Sequence, residues 1–145
     1  MFFVWDDAYD TGIEVIDIQH RKIVDYINQL DNAISANNKI EIDKVFDNLF
    51  NYCLSHFSFE ESLMAEHGYE HTEGHREVHN SFIARIERYR SEWNQGSDVS
   101  RQLLRDLKVW LVSHIQREDQ DYAQVIQNKL NQNWISKMLG KFFPS

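Results

Sequence analysis

The sequence predicts an all-α protein folded as an up-down-up-down four-helix bundle, with an N-terminal arm and an amphipathic C-terminal tail, and three observations predict it. Four segments repeat apolar residues at helical spacing, so each has one inward stripe. The breaks between them are short, which makes successive helices antiparallel neighbours. One proline and five glycines in 145 residues, set among dense Leu, Ile, Phe, Glu and Gln, suit helices throughout. A chain of this length forms one domain with a real core. Residues 1–130 are read as the bundle, including an arm over 1–16, and residues 131–145 as the tail.

The arm carries Trp5, Tyr9, Gly12 and Ile13 without helical periodicity and is expected to lie ordered on the bundle. Asp17 can cap a first helix that runs to about Asn37 with the stripe His20, Ile23, Ile27, Leu30 and Ile34. Asn37-Asn38 breaks that pattern. The second helix follows with Ile42, Phe46, Leu49, Cys53, His56, Glu60, Leu63 and His67, a seven-residue rhythm suited to side-by-side packing. Gly68 closes it, and Thr72 is the expected N-cap of a third helix bearing His75, His79, Phe82, Ile86 and Trp93 on one face. Residues 94–98 turn the chain, with Asp98 as cap of the fourth helix.

The fourth helix slips register. Its stripe of Leu107, Leu111 and His114 continues regularly to Glu118, Asp121 and Val125, which would bury two acids. A shift of one residue after His114 gives Asp119, Tyr122, Ile126 and Leu130 instead. In a regular α-helix positions five apart lie roughly 140° from each other, so His114 and Asp119 share a site only across a wider turn. The sequence therefore predicts a π-bulge between them.

Composition excludes several classes of function. A formal net charge of −8 argues against nucleic acid, which demands a basic face. The lone Cys53 rules out an internal disulfide and fits a reducing compartment, where it would be a small, inert core side chain. The start, MFFVWDDAYD, has no basic residue before its apolar stretch and acids follow at once, unlike a secretory leader. No apolar run is long enough to span a bilayer.

Collected from the four stripes, the inward polar set is His20, His56, Glu60, His75, His79, His114 and Asp119. Single inward histidines are usually satisfied core residues. Five imidazoles and two carboxylates aimed into one interior are a different matter, because cations offset the cost of burying them, and two ions bridged by both carboxylates use the set well. A ferritin-like site needs Glu-x-x-His motifs, which the chain lacks. His67 and His71 extend a four-residue repeat with His75 and His79, but Gly68 and Gly74 interrupt it. They are read as a helix C-terminal residue and a loop residue.

The pattern of a lone His, then His-x3-Glu, His-x3-His and His-x4-Asp resembles the hemerythrins, above all their single-domain bacterial members, over nearly all of residues 1–130. All seven positions are filled, by His20, His56/Glu60, His75/His79 and His114/Asp119. The resemblance implies two iron ions, one held by His75, His79 and His114 and the other by His20 and His56, bridged by Glu60, Asp119 and an oxo or hydroxo group. It leaves one open position for O2 and implies an apolar pocket of Ile23, Phe57, Phe82, Trp110 and Leu111, with Tyr122 behind the bridge. The implied function is reversible O2 binding, as carrier, store or local supplier, in a monomeric, non-enzymatic cytoplasmic protein. The competing readings are an oxygen, redox or iron sensor acting through a partner, and a di-iron enzyme reducing peroxide or nitric oxide. One departure from the family is Glu70, where a proline often follows the aromatic that is Tyr69 here.

The tail repeats apolar pairs, Trp134-Ile135, Met138-Leu139 and Phe142-Phe143, around Lys137 and Lys141 with no acid. An amphipathic basic helix of this kind either docks on a membrane or a protein partner through Trp134 to Phe143, or folds back on its own bundle. The sequence leaves both readings open.

Overall fold

The computed structural model describes residues 1–144. Its long helices are α1 (Glu14–Ser35), α2 (Lys39–Glu66), α3 (Thr72–Asn94) and α4 (Ser100–His114); a π turn (Ile115–Asp119) joins α4 to α5 (Gln120–Ile126). A 3-10 turn (Gln127–Lys129) then leads to α6 (Gln132–Phe142). Helix α1 packs on α2 and α4, and α3 on α2 and α4, which closes the four-helix bundle. No helix among the described residues is long and apolar enough to cross a membrane.

The predicted stripes are the buried faces except at their ends, where Ile34, His67, Trp93 and Leu130 are half-buried. On α2, Ile42, Phe46, Leu49, Cys53, His56, Glu60 and Leu63 are all buried, as are His20, Ile23, Ile27 and Leu30 on α1. The core divides into two apolar clusters. One gathers Ile23, Ile27, Phe57, Phe82 and Leu111; the other gathers Ile16, Phe59, Leu63, Tyr122 and Ile126. The buried polar set lies between them.

Helix ends explain where local reading succeeds and where it fails. Gly68, at φ +72, closes α2 in a left-handed conformation: its N–H donates to the Ala65 carbonyl, and that of Tyr69 to the Met64 carbonyl. Asp98 is not the N-cap of α4, a position Val99 fills without a side-chain bond; one residue earlier, its carboxylate accepts from the backbone N–H and the hydroxyl of Ser100. Asp17 lies inside α1 and not at its start. Its carboxylate accepts from the Thr11 and Gly12 backbone N–H groups and from the Thr11 hydroxyl, so it ties the arm down and α1 begins at Glu14. The arm is therefore shorter than residues 1–16, and α1 stops at Ser35, before the positive-φ Asn37. Thr72 likewise is not an N-cap: it is the first residue of α3, and its hydroxyl donates to the Tyr69 carbonyl.

Both termini lie on the bundle. Phe3 is buried, its backbone pairs in both directions with the Asn28 side chain, and Lys108 Nζ donates to the Phe2 carbonyl. At the other end α6 folds back on α2: Ile135 is buried, Trp134 packs on Phe59 and His67, and Phe143 packs on Phe59 and Tyr52. Of the two readings of the tail, the structure adopts the folded-back one.

Candidate metal centre

Each long helix delivers its share at the same level of the bundle: His20 from α1, His56 and Glu60 from α2, His75 and His79 from α3, and His114 from the end of α4. Asp119 arrives from the π turn, in which the Gln120 N–H donates to the Ile115 carbonyl, five residues back. All seven side chains predicted from the sequence are buried, with His20, Glu60 and Asp119 at 0% exposure.

Their donor atoms converge. Asp119 Oδ1 lies 3.1 Å from Nε2 of both His75 and His114, and its Oδ2 lies 3.0 Å from His20 Nε2. Glu60 Oε1 lies 3.0 Å from His56 Nε2 and 3.4 Å from His79 Nε2. The set separates into two groups able to hold a cation, Glu60 with His75, His79, His114 and Asp119, and Glu60 with His20 and His56.

Proximity here is not hydrogen bonding. His20 Nδ1 and Nε2, Glu60 Oε1, His75 Nε2, His114 Nδ1 and both Asp119 oxygens are buried without a hydrogen-bond partner. The Nε2 atoms of His79 and His114 face each other at 3.1 Å. Buried polar atoms are normally paired, and orphaning this many is costly unless cations take up their lone pairs. The donor set, imidazole and carboxylate together, suits first-row transition metals.

Electrostatics point the same way. Burial raises the pKa of Asp119, but the neighbouring His114, His20 and His75 outweigh it and hold the carboxyl well below its ordinary value. Burial lowers His79, yet the neighbouring carboxylates of Glu60 and Glu61 hold it up at about 9. Burial prevails at His56, which is lowered. The cage thus keeps its carboxylates ionised and a proton on His79, which a cation bound there displaces.

The remaining sequence-predicted residues surround this cage. Trp110 stacks on His114 with ring centroids 4.4 Å apart, Phe57 on His79 at 4.0 Å, and Phe82 on Trp110 at 3.7 Å. These three form an aromatic wall over one of the two groups. Ile23 and Leu111 are buried in the same apolar cluster. Beside the wall, a surface cleft of about 120 Å³ is lined by Val78, Trp110, Ser113, Arg117, Glu118 and one cage residue, His114. Tyr122 stands on the opposite side and donates its hydroxyl to Glu60 Oε2 at 2.5 Å.

Two contacts escape the sequence reading. Gln19 Oε1 meets His56 Nδ1 at 2.7 Å, and Glu61 Oε2 meets His79 Nδ1 at 3.0 Å. Both residues are sequence neighbours of cage residues and sit off the apolar stripe, where polar side chains normally face water. Polarity alone gives no signal; the adjacency to His20 and Glu60 is the only clue.

Known proteins are similar to this chain along most of its length. A family model described as Hemerythrin HHE cation binding domain matches residues 11–126. The chain is 38% identical to a bacteriohemerythrin of Stenotrophomonas maltophilia and 36% identical to one of Pseudomonas aeruginosa, each alignment covering 97% of both chains. The hemerythrin subunit alpha of Lingula anatina is 27% identical over 83% of this chain and 92% of its own. The crystal structure of a wild-type hemerythrin superposes with a TM-score of 0.80 at 29% identity, covering 84% of this chain and 95% of that one. Four helices, a buried cage of five histidines and two carboxylates, and likeness in sequence and structure along most of its length make this chain a member of the hemerythrin family.

Proposed function

We propose that the chain binds O2 reversibly at a pair of irons held by this cage, serving as an oxygen carrier, store or local supplier rather than as an enzyme. The observation that carries the reading is the convergence of five Nε2 atoms on the oxygens of Glu60 and Asp119, those of His20 and His75 unpartnered and those of His79 and His114 facing each other, in two groups that share Glu60. In this reading His75, His79 and His114 would hold one ion, His20 and His56 the other, and Glu60 and Asp119 would serve both. Two irons bound there would supply the two electrons that O2 takes up on binding and returns on leaving.

The chain's own residues favour binding over turnover. Five imidazoles, neutral once a cation has displaced their protons, against only two carboxylates supply little negative charge, and so do not stabilise the high oxidation states that oxygen activation requires. Phe57, Phe82 and Trp110 cover His79 and His114 with apolar surface that excludes water and competing anions. Tyr122 holds Glu60 from the far side, and its own proton is secure, since burial first and the Glu60 charge second raise its pKa well above the ordinary phenol.

The test is iron analysis together with visible spectroscopy of the anaerobically reduced chain. Two irons per chain, and an absorption that grows in with O2 and fades under vacuum, are expected. Rapid irreversible oxidation would turn the assignment toward sensing or peroxide and nitric oxide reduction.

A further inference from the structure

Among the five cage histidines, two have the ring nitrogen that faces away from the cage held by a side chain: His79 by Glu61 and His56 by Gln19. The outer nitrogens of His20 and His114 have no partner. One held histidine belongs to each of the two groups, and the holders differ in charge, a carboxylate for one and an amide for the other.

An imidazole that offers the Nε2 lone pair to a cation keeps its proton on Nδ1, and an acceptor there fixes the tautomer and the rotation of the ring. A carboxylate acceptor also makes the stronger, charge-assisted bond and raises the basicity of the far nitrogen. Glu61 is built for this. It is 17% exposed, and its second oxygen accepts from Arg76 Nε at 2.8 Å, while Arg76 also pairs with Glu73. Gln19 is buried, and its amide nitrogen has no partner, so the contact with His56 is what orients it.

We infer that Glu61 and Gln19 are positioning residues that make the two cation positions electronically unequal, with the carboxylate of Glu61 rendering the His75/His79/His114 position the stronger donor and the easier one to oxidise. The inference rests on the reading of the cage as a di-iron site. It does not follow from the three-to-two division of histidines, because it concerns charge outside the cage.

Midpoint potentials of the iron-loaded full chain test it, measured by spectroelectrochemistry on the wild type and on Glu61→Gln, Gln19→Glu and Glu73→Gln. Glu61→Gln retains an acceptor oxygen and removes only the charge. It is expected to disfavour oxidation about tenfold, a rise of about 59 mV for one electron. Gln19→Glu is expected to lower the potential, and Glu73→Gln, which touches Arg76 but not His79, to leave it unchanged. A Glu61→Gln chain that holds two irons at the wild-type potential overturns the inference alone. An equal shift of the potential in Glu73→Gln overturns it too. A wild type that takes up no iron overturns the di-iron reading, and the inference falls with it.

Discussion

His114 Nε2 lies 3.1 Å from Asp119 Oδ1, although five residues separate them and a regular α-helix would turn them roughly 140° apart. The π turn between them absorbs one residue without changing the phase of the helix beyond it, so Tyr122 and Ile126 continue the inner face.

Deleting Gln116, which is exposed, should therefore preserve the centre. The deletion places His and Asp four apart, the spacing that shares a face in an unbroken α-helix. Metal content is expected to stay at wild-type level, whereas Asp119→Ala should lose most of it. Loss of metal from the deletion variant, with helicity intact, would show that the wide turn itself shapes the cage.

Cys53 is expected to be inert in the native chain. It is 1% exposed, and burial pushes its thiol up to about 12, so almost no thiolate exists at neutral pH. A disulfide reagent should label it only after addition of denaturant, following the unfolding curve. Fast stoichiometric labelling of the folded protein would contradict the packing around α2.

How much is legible in the sequence depends on whether a residue's neighbours in space share its helix face. The seven cage residues occupy apolar stripes, so periodicity alone brings them inward, and the slip after His114 is visible because a straight continuation would bury Glu118 and Asp121. Asp17 and Thr72 are misplaced by local reading because a carboxylate or hydroxyl near a helix start can serve the preceding loop as well as the helix. Their acceptors and donors, Thr11, Gly12 and Tyr69, are chosen by how the loop folds. Gln19 and Glu61 escape because their partners lie on other helices, and the resting place of the tail depends on a surface of α2 around Phe59, away from the inner stripe.

Asp43 gives an acid-side dependence of stability. Trp93 Nε1 donates to its Oδ1 at 2.6 Å and Arg90 at 2.9 Å, and these bonds, Trp93 first, hold its pKa below the ordinary carboxyl value. A depressed folded pKa contributes stability that is complete above the unfolded value of roughly 3.9 and disappears as pH falls through the lower folded value. Asp43 is half-exposed, so solvent screening limits the effect to about 0.5 kcal/mol. Urea midpoints of wild type and Asp43→Asn should differ at pH 7 and converge only once pH has fallen below the folded value; a constant difference would assign the effect to packing.

The folded-back tail predicts what its removal does. Phe59 is fully buried under Trp134 and Phe143, and Ile135 is 6% exposed in a cluster with Leu63 and Met64. Ile135→Ala should cost about 2 kcal/mol, the lower end for a buried aliphatic side chain, because α6 lies at the edge and can relax. A chain ending at Leu130 uncovers Phe59, and is expected to unfold at lower urea and to self-associate. With its apolar face already occupied, the full chain should not pellet with anionic vesicles, despite Lys137 and Lys141. Pelleting of the full chain, together with unchanged stability on truncation, would mean that α6 releases α2 for a lipid surface and that its packing on Phe59 contributes little to the fold.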